Sequence, residues 1–432
     1  MKAVIVAGGK GTRILGITKN IIPKPMIRIN DKPILEYQLG VFKANGITDI
    51  IIIIGHLGEQ IEDYFKDGKS FGVSISYVRE EFPLGTAGGL YFLKNKINED
   101  FILVYGDLIF DVDFQKMLDF HKKNSSYITL LTHPNTHPYD SDLIVCDKNN
   151  KIIAIDRKDN KRSYYYNNLA NAGIFIVSNE LLNSFDILQK LDFEKDIVFK
   201  YICENKNIMS YRSTEYVKDC GNIERFNSIK VDIDNNIPQI RNLKNKQKVI
   251  FLDRDGTINT FIPYLNNKNQ FSLIDGVCDA IRRINQSEYL CIVVTNQPVI
   301  ARGDATLEEV NEIHKKMETL LAENGCYVDD IYFCPHHPDK GFANEIKELK
   351  IDCSCRKPKI GMLLQAQERY NIDFAKSIVV GDSDNDIQMA QNAKCYSVLL
   401  YDKLKDKQKI HKSSPNLITK DLNTAINLIL KK

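Results

Sequence analysis

The sequence predicts an α/β protein made of two Rossmann-like three-layer domains in series. Three observations carry this. First, an apolar run of strand length, Val249 to Leu252, stops at two carboxylates, Asp253 and Asp255, and then at Gly256-Thr257. In α/β sheets ligands bind outside the carboxyl ends of the strands, so both acids would project into a crevice there. Second, Lys2 to Ala7 is another strand-like run, and it enters the glycine-rich turn Gly8-Gly9. Third, a chain of 432 residues exceeds what one core ordinarily supports. An opening strand past the middle of the chain then marks a new domain. The expected division is a domain over 1–230, a linker over 231–247 and a second domain over 248–432.

Composition narrows the class. Hydrophobic residues at 43% and charged residues at 26% are ordinary for a globular protein. A formal net charge of +2 gives no electrostatic case for nucleic acid or an anionic membrane as partner. Met1 to Ala7 lacks the apolar core of a secretory signal, and Ile50 to Ile54 is too short to span a bilayer. A reducing cytoplasm is therefore expected, and the ten cysteines do not read as a disulfide framework. Small molecules are the expected partners, and the sequence is compatible with a homo-oligomer.

In the first domain, the turn Gly8-Gly9-Lys10-Gly11-Thr12-Arg13 would let main-chain N–H groups approach phosphates, with Lys10 and Arg13 adding charge. Its spacing fits neither a P-loop nor a dinucleotide fingerprint. In Pro23-Lys24-Pro25-Met26 the prolines fix the backbone that carries Lys24. Ile34 to Ala44 reads as a helix stopped by Gly46, Ile50 to Ile54 as a central strand, and Glu59 to Phe65 as a helix. Leu84-Gly85-Thr86-Ala87-Gly88-Gly89 is a small-residue loop that permits close approach to a base or sugar. The strand Phe101 to Tyr105 ends at Gly106-Asp107, again a carboxylate at a strand's C-terminal end.

These motifs, with Asn171-Ala172-Gly173 and Val217-Lys218-Asp219, resemble the sugar-phosphate nucleotidyltransferase family over the first half of the chain. The resemblance implies attack of a sugar 1-phosphate oxygen on the α-phosphorus of a nucleoside triphosphate, a displacement that rests on positioning and electrostatics. It implies that Gly8, Gly9, Gly11 and Thr12 cradle the nucleotide and that Arg13 and Lys24 neutralise phosphate charge. Asp107 and Asp219 would hold Mg2+, Asn171 and Gly173 would contact the sugar, and Glu194 and Lys195 would lie near its phosphate. The loop with Gly85, Thr86 and Gly88 is similar to that of members using a purine, GTP above all. The chain departs from the family at Ile14-Leu15-Gly16 and at Asn222-Ile223-Glu224.

From about Ser228 to Lys248, Asp, Asn and Lys recur with little periodicity, as in a linker. The second domain then opens at Val249. Tyr289 to Thr295 reads as a strand ending in Thr295-Asn296-Gln297. Thr306 to Ala322 is a helix with capping-box spacing at Thr306 and Glu309 and an apolar face of Leu307, Val310, Ile313, Met317 and Leu320. Asp330 to Phe333 and Ser377 to Val380 are strands, the latter entering Gly381-Asp382-Ser383-Asp384-Asn385-Asp386.

Asp253, Asp255, Thr295, Lys357 and Asp382, in this order, resemble the constellation of the haloacid-dehalogenase phosphatases. The resemblance implies Asp253 as nucleophile, forming an aspartyl-phosphate, and Asp255 as proton donor and then base. Thr295 and Asn296 would bind the phosphoryl group and Lys357 would offset its charge. Asp253, Asp382 and the main-chain carbonyl of Asp255 would ligate Mg2+, with Asp386 in support. Cys334, Cys353 and Cys355, with His336 or His337, can supply three thiolates and an imidazole, a closed tetrahedral Zn2+ set.

Asp-Arg-Asp-Gly-Thr-Ile-Asn, Cys-Pro-His-His-Pro, Cys-Arg-Lys-Pro and Ile300-Ala301-Arg302-Gly303 are similar to the heptose bisphosphate phosphatases, relatives of the histidinol phosphatases. Departures fall at Pro298-Val299 and at Ile360. The resemblance selects His336 as the zinc ligand and gives Arg302, Arg356 and Lys357 as cations for a second, non-reacting phosphate. Together the two resemblances imply a bifunctional enzyme, nucleotidyltransferase and phosphoric monoester hydrolase. It would remove the C7 phosphate of heptose 1,7-bisphosphate and couple the heptose 1-phosphate to GTP. The alternative is a mannose-1-phosphate guanylyltransferase fused to a histidinol-phosphatase-like domain.

Overall fold

Five consecutive β-branched residues, Ile50 to Ile54, suit a strand buried on both faces, and they lie in one flanked in parallel on both sides, by Ala3–Ala7 and Ser74–Arg79. The structure is a computed structural model that describes residues 1–9, 18, 21–401 and 413–431. It divides into two compact units. The first comprises Met1–His133, Asp142–Arg157 and Ala170–Asn242; the second comprises Pro134–Ser141, Lys158–Leu169 and Leu243–Lys432.

In the first unit the strand Ala3–Ala7 pairs in parallel with Asp49–Ile54 on one side and Phe101–Tyr105 on the other. Ser74–Arg79 extends the sheet past Asp49–Ile54, and Ala170–Val177 joins antiparallel beyond Phe101–Tyr105. Residues of alternate parity, such as Ile50, Ile52 and Ile54, face a core shared with the helix Ile34–Ala44 and with Ile61 and Phe65 of the helix Gly58–Phe65. Each such side chain contributes roughly 1.5–3 kcal/mol by leaving water. A separate two-stranded ribbon pairs Leu108–Asp111 with Tyr216–Asp219, with Asp219 opposite Leu108.

The stretch expected to be an aperiodic linker is helical over Ile223–Asp234 and Ile237–Arg241. Phe226, Ile229, Ile233 and Ile237 recur at helical spacing and pack with Ile27, Ile29, Ile34, Ile109 and Tyr216. The intervening Asp and Asn residues hid that stripe.

The second unit is a parallel six-stranded sheet in the order Asp330–Cys334, Tyr289–Asn296, Lys248–Leu252, Ile378–Gly381, Tyr396–Leu400 and Leu417–Thr419. Period-two alternation splits the strand Lys248–Leu252 between two cores. Ile250 and Leu252 join one with the helices Val277–Asn285 and Leu422–Leu430; Val249 and Phe251 join the other with the helix Gly361–Tyr370. Because all neighbours run parallel, Asp253, Thr295, Cys334 and Asp382 gather at one edge.

The helix Leu307–Glu323 forms as expected, with a buried face shifted from the one expected. Leu307 is exposed, whereas His314 and Leu321 are inside. Among the described residues no helix is long and apolar enough to cross a membrane.

The capping box at this helix is complete: Thr306 Oγ1 accepts from the Glu309 N–H at 3.1 Å, and Glu309 Oε2 accepts from the Thr306 N–H at 2.8 Å. Thr306→Ala should lower the unfolding free energy of the second unit by about 1 kcal/mol, with Thr306→Ser near parental, in urea denaturation. An unchanged midpoint for the alanine variant would show that the cap contributes nothing.

Candidate active sites

Burial and charge pairing build the site of the second unit. Asp253 follows the strand Lys248–Leu252 and is anchored by its N–H donating to the Val380 carbonyl at 3.0 Å. Lys357 Nζ lies 2.6 Å from Asp253 Oδ1 and 2.6 Å from Asp386 Oδ1, and donates to the Val294 carbonyl at 3.0 Å. Burial pushes Asp253 up to about 7 against the pull of Lys357, with Asp386, Asp382 and Asp255 adding to the rise. Burial disfavours the Lys357 ammonium, but Asp253 and Asp386 outweigh it and hold Lys357 above the ordinary lysine range. The two shifts pull in opposite senses on one proton. The ion pair is the state supported by the 2.6 Å contacts on both sides of the ammonium.

Asp253, Asp382 and Asp386 each bring a carboxylate oxygen within 4.8 Å of the others. Asp386 is engaged at both oxygens, by Lys357 and by the Ser383 N–H and hydroxyl. Gly256, at φ +85°, admits Asp382: a Cβ there would lie 2.4 Å from Asp382 Oδ2. The Asp255 carboxylate is outside this acid group. It accepts from Arg254 at 2.8 and 3.0 Å, from Asn259 at 3.0 Å and from Gln297 at 2.9 Å. Burial opposes its charge, yet Arg254, Asn259 and Gln297 hold it below the usual carboxylate range.

The surrounding polar residues are committed to one another. Thr295 Oγ1 accepts from Gln297 at 2.9 Å. Asn296, expected at the substrate, brackets the Lys357 main chain: its Oδ1 accepts at 3.0 Å and its Nδ2 donates at 3.2 Å. Arg356 donates to the His336 carbonyl at 3.2 Å. Arg302 is sandwiched between the Tyr264 ring at 3.7 Å and the Phe342 ring at 4.3 Å, and donates to Asp304 at 2.7 Å.

Cys334, His336, Cys353 and Cys355 converge, with all four ligand atoms within 4.8 Å. The Cys334 sulfur is 3.5 Å from that of Cys353 and 3.3 Å from that of Cys355, and the latter two are 3.3 Å apart. His336 Nδ1 lies 3.3 Å from the Cys355 sulfur. A disulfide needs about 2.05 Å. Bonds of about 2.3 Å to a tetrahedral Zn2+ space sulfurs nearly as found, so the donor set fits that metal. His337 faces Asp339 and Phe342 instead.

In the first unit, the turn Lys24–Met26 presents Lys24 Nζ 2.5 Å from Asp107 Oδ2. The ribbon register places Asp219 beside Asp107, whose carbonyl accepts from the Cys220 N–H at 3.0 Å. Arg225 Nη1 contacts both Asp219 oxygens, at 2.8 and 2.7 Å. These carboxylates are hard oxygen donors of the kind Mg2+ takes. Asn171 donates to Glu194 Oε1, and its own Oδ1 accepts from the Gly173 N–H at 3.2 Å. Burial, then Asp192 and Asp142, push Glu194 up to about 7. Lys195 is exposed.

At Gly85 and Gly88 the chain's own carbonyls come close on the side a Cβ would occupy. A Cβ at either would lie 2.3 Å from a carbonyl oxygen, that of Leu191 or of Gln189. Thr86 Oγ1 accepts from the Phe193 N–H at 2.7 Å. Gly11, Thr12 and Arg13, with Lys10 and Ile14 to Gly16, lie outside the described residues; Gly8 and Gly9 are within them.

Sequence reasoning missed Glu80. It follows the strand Ser74–Arg79, is buried, and its Oε1 has no hydrogen-bond partner among the described residues. Cβ positions built at Gly8 and Gly89 fall 2.6 and 2.7 Å from its carboxylate oxygens, so it stands between the two glycine loops. Burial pushes it up to about 7. The available signal was the one used for Asp107, a carboxylate at a strand's C-terminal end, obscured here by the charged turn Glu80-Glu81.

Comparison with known proteins assigns a family to each half of the chain. The nucleotidyl transferase family matches residues 2–236 and a HAD-hydrolase-like family matches residues 354–425. The second half is similar to D-glycero-β-D-manno-heptose-1,7-bisphosphate 7-phosphatases. That of Yersinia pestis is 48% identical over 141 residues, 33% of this chain and 73% of that protein. That of Haemophilus influenzae is 45% identical over 148 residues, 34% of this chain and 77% of that protein. The crystal structure of HddC from Yersinia pseudotuberculosis covers 54% of this chain and 99% of its own, at 22% identity and TM-score 0.47. Through its first half the chain belongs to the nucleotidyl transferase family, and through its second to the family of the heptose-1,7-bisphosphate 7-phosphatases.

Proposed function

We propose that the chain carries out two steps of heptose activation: removal of the C7 phosphate from heptose 1,7-bisphosphate, and transfer of GMP from GTP to the resulting heptose 1-phosphate. The observation that carries the first step is the buried Asp253–Lys357 pair beside Asp255. Asp253 attacks the C7 phosphorus and the bond to the C7 oxygen breaks, leaving an aspartyl-phosphate. Asp255 protonates the departing oxygen, then takes a proton from the water that releases inorganic phosphate. Its donors Arg254, Asn259 and Gln297 favour the ionised form, the one that serves the second half of the cycle. Lys357 offsets the charge of Asp253 and of the phosphoryl group. Mg2+ held by Asp253, Asp382 and the Asp255 carbonyl would add positive charge at the phosphoryl oxygens. Relatives at 48% and 45% identity favour heptose bisphosphate over a histidinol phosphate.

In the first unit a heptose 1-phosphate oxygen attacks the α-phosphorus of GTP and pyrophosphate leaves. Lys24 and Arg13 offset the developing charge, and Asp107 and Asp219 would hold the Mg2+. Glu80 supports guanine as the base. A carboxylate offers two acceptors to the adjacent N1–H and N2–H of guanine, whereas adenine shows an acceptor at N1. The Cys3His group supports structural Zn2+ in the loop that carries Arg356 and Lys357. GTP as substrate and three thiols kept reduced for zinc support a cytoplasmic location.

Pyrophosphate release with heptose 1-phosphate should be faster with GTP than with dTTP or UTP at equal concentration. Glu80→Gln should lower kcat/KM for GTP at least about tenfold, the loss of a charge-assisted pair. Equal turnover of dTTP by the parent would exclude the guanine assignment. Equal GTP kinetics in the variant would exclude Glu80 as its reader.

Elemental analysis of the purified, untagged protein should find about one Zn2+ per chain. Cys353→Ser should lose the zinc and lower the melting temperature of the second unit, leaving nucleotidyl transfer near parental. A preparation that is folded, active as a phosphatase and free of zinc would refute the metal assignment.

A further inference from the structure

Arg254, between the two aspartates, has its side chain fully buried and is the largest such residue among those described. Its Nε and Nη2 face the Asp255 carboxylate at 2.8 to 3.3 Å. Its Nη1 lies 3.1 Å from Nε2 of His314, a residue on the helix Leu307–Glu323 that no expected motif includes. His314 is itself buried and packs its ring against Phe333, centroids 5.2 Å apart.

A guanidinium has only donors, so His314 Nε2 must be the acceptor, and the proton of the neutral ring sits on Nδ1. Burial, then the Arg254 charge, push His314 down to about 3, which keeps it neutral across the working range of the protein. The guanidinium is thus fixed from both ends, by a carboxylate at one side and by a neutral acceptor at the other. Without His314 an N–H of Arg254 would be buried with this acceptor gone, and the fork would be free to tilt. Asp255 would tilt with it, since Arg254 supplies three of the hydrogen bonds that orient its carboxylate.

We propose that His314 is a positioning residue for the phosphatase reaction: through Arg254 it fixes the direction in which Asp255 delivers its proton. This rests on the phosphatase assignment above, with Asp255 as the proton donor. Among the described residues His314 meets Arg254 and the Phe333 ring. A proton donor matters most when the leaving group is a poor one. A sugar alkoxide needs protonation as it departs; p-nitrophenolate does not. Because kcat/KM reports the steps up to release of the alcohol, it isolates this role from the later hydrolysis of the aspartyl-phosphate.

The test compares kcat/KM of the full-length parent, His314→Leu and His314→Gln on heptose 1,7-bisphosphate and on p-nitrophenyl phosphate. In kcat/KM, His314→Leu should lose about tenfold on the sugar phosphate and stay within about twofold on p-nitrophenyl phosphate. His314→Gln, which keeps an acceptor, should recover most of the loss. Should the leucine variant not fold, His314→Asn, too short to reach Arg254, against His314→Gln gives the same contrast. An equal fall on both substrates, or no fall in a folded leucine or asparagine variant, would overturn the proposal. Failure of the phosphatase reading is separate and shows as a parent enzyme that releases phosphate from neither substrate, or as an active Asp253→Asn.

Discussion

A lysine ammonium with 4% of its side chain exposed, held between two buried carboxylates, sets the terms for the second unit. Asp253 could not stay ionised at that depth without a cation, and removing one partner of such a buried group costs about 3–5 kcal/mol. The requirement explains neighbouring choices. Asn296 spends its amide on the Lys357 main chain, because the ammonium must arrive at a fixed height above the sheet. Ser383 satisfies the remaining Asp386 oxygen through the capping box of the helix Asp384–Ala393, which ties that helix to the same charge. Asp253 has one oxygen, Oδ1, on Lys357.

The first unit uses a related device with different exposure. Lys24 sits in a proline-framed turn, as Lys357 precedes Pro358, and pairs with a carboxylate at a strand end. Its side chain is 17% exposed and that of Asp107 27%, so water screens the pair and lets each exchange partners. A displacement that brings in a triphosphate and expels pyrophosphate needs such exchange. A reaction through a covalent aspartyl-phosphate, as proposed for the second unit, needs the nucleophile fixed instead, and the Lys357–Asp253 pair is the deeper of the two.

Much of this was legible in the sequence, for a stated reason. Strand-end carboxylates and glycine turns are local patterns, so Asp107, Asp253, Asp382 and the strand Lys248–Leu252 stand out in the letters alone. While the letters left His336 and His337 open and the family resemblance selected His336, the three thiols are read the same way. Arg254, Asn259, Gln297 and His314 are not, because their roles lie in contacts between elements distant in sequence. His314 sits one position from the apolar face that periodicity marks, and only the packing against Phe333 turns it inward. The helical stripe of Phe226, Ile229, Ile233 and Ile237 was diluted by Asp and Asn below the level that pattern reading detects. Gly85 and Gly88 show the converse: glycine signalled a close approach, and the approaching atoms are the chain's own carbonyls.

The central claim is that each unit holds a complete site organised by its own strand-end carboxylates. Substituting the two sites separately measures it most directly. Asp253→Asn should abolish phosphate release from heptose 1,7-bisphosphate while nucleotide-sugar formation from heptose 1-phosphate and GTP stays near the parental rate. Asp107→Asn should do the reverse, and a mixture of the two proteins should restore the whole conversion. Loss of both activities in either variant, with circular dichroism showing an intact fold, would contradict the account.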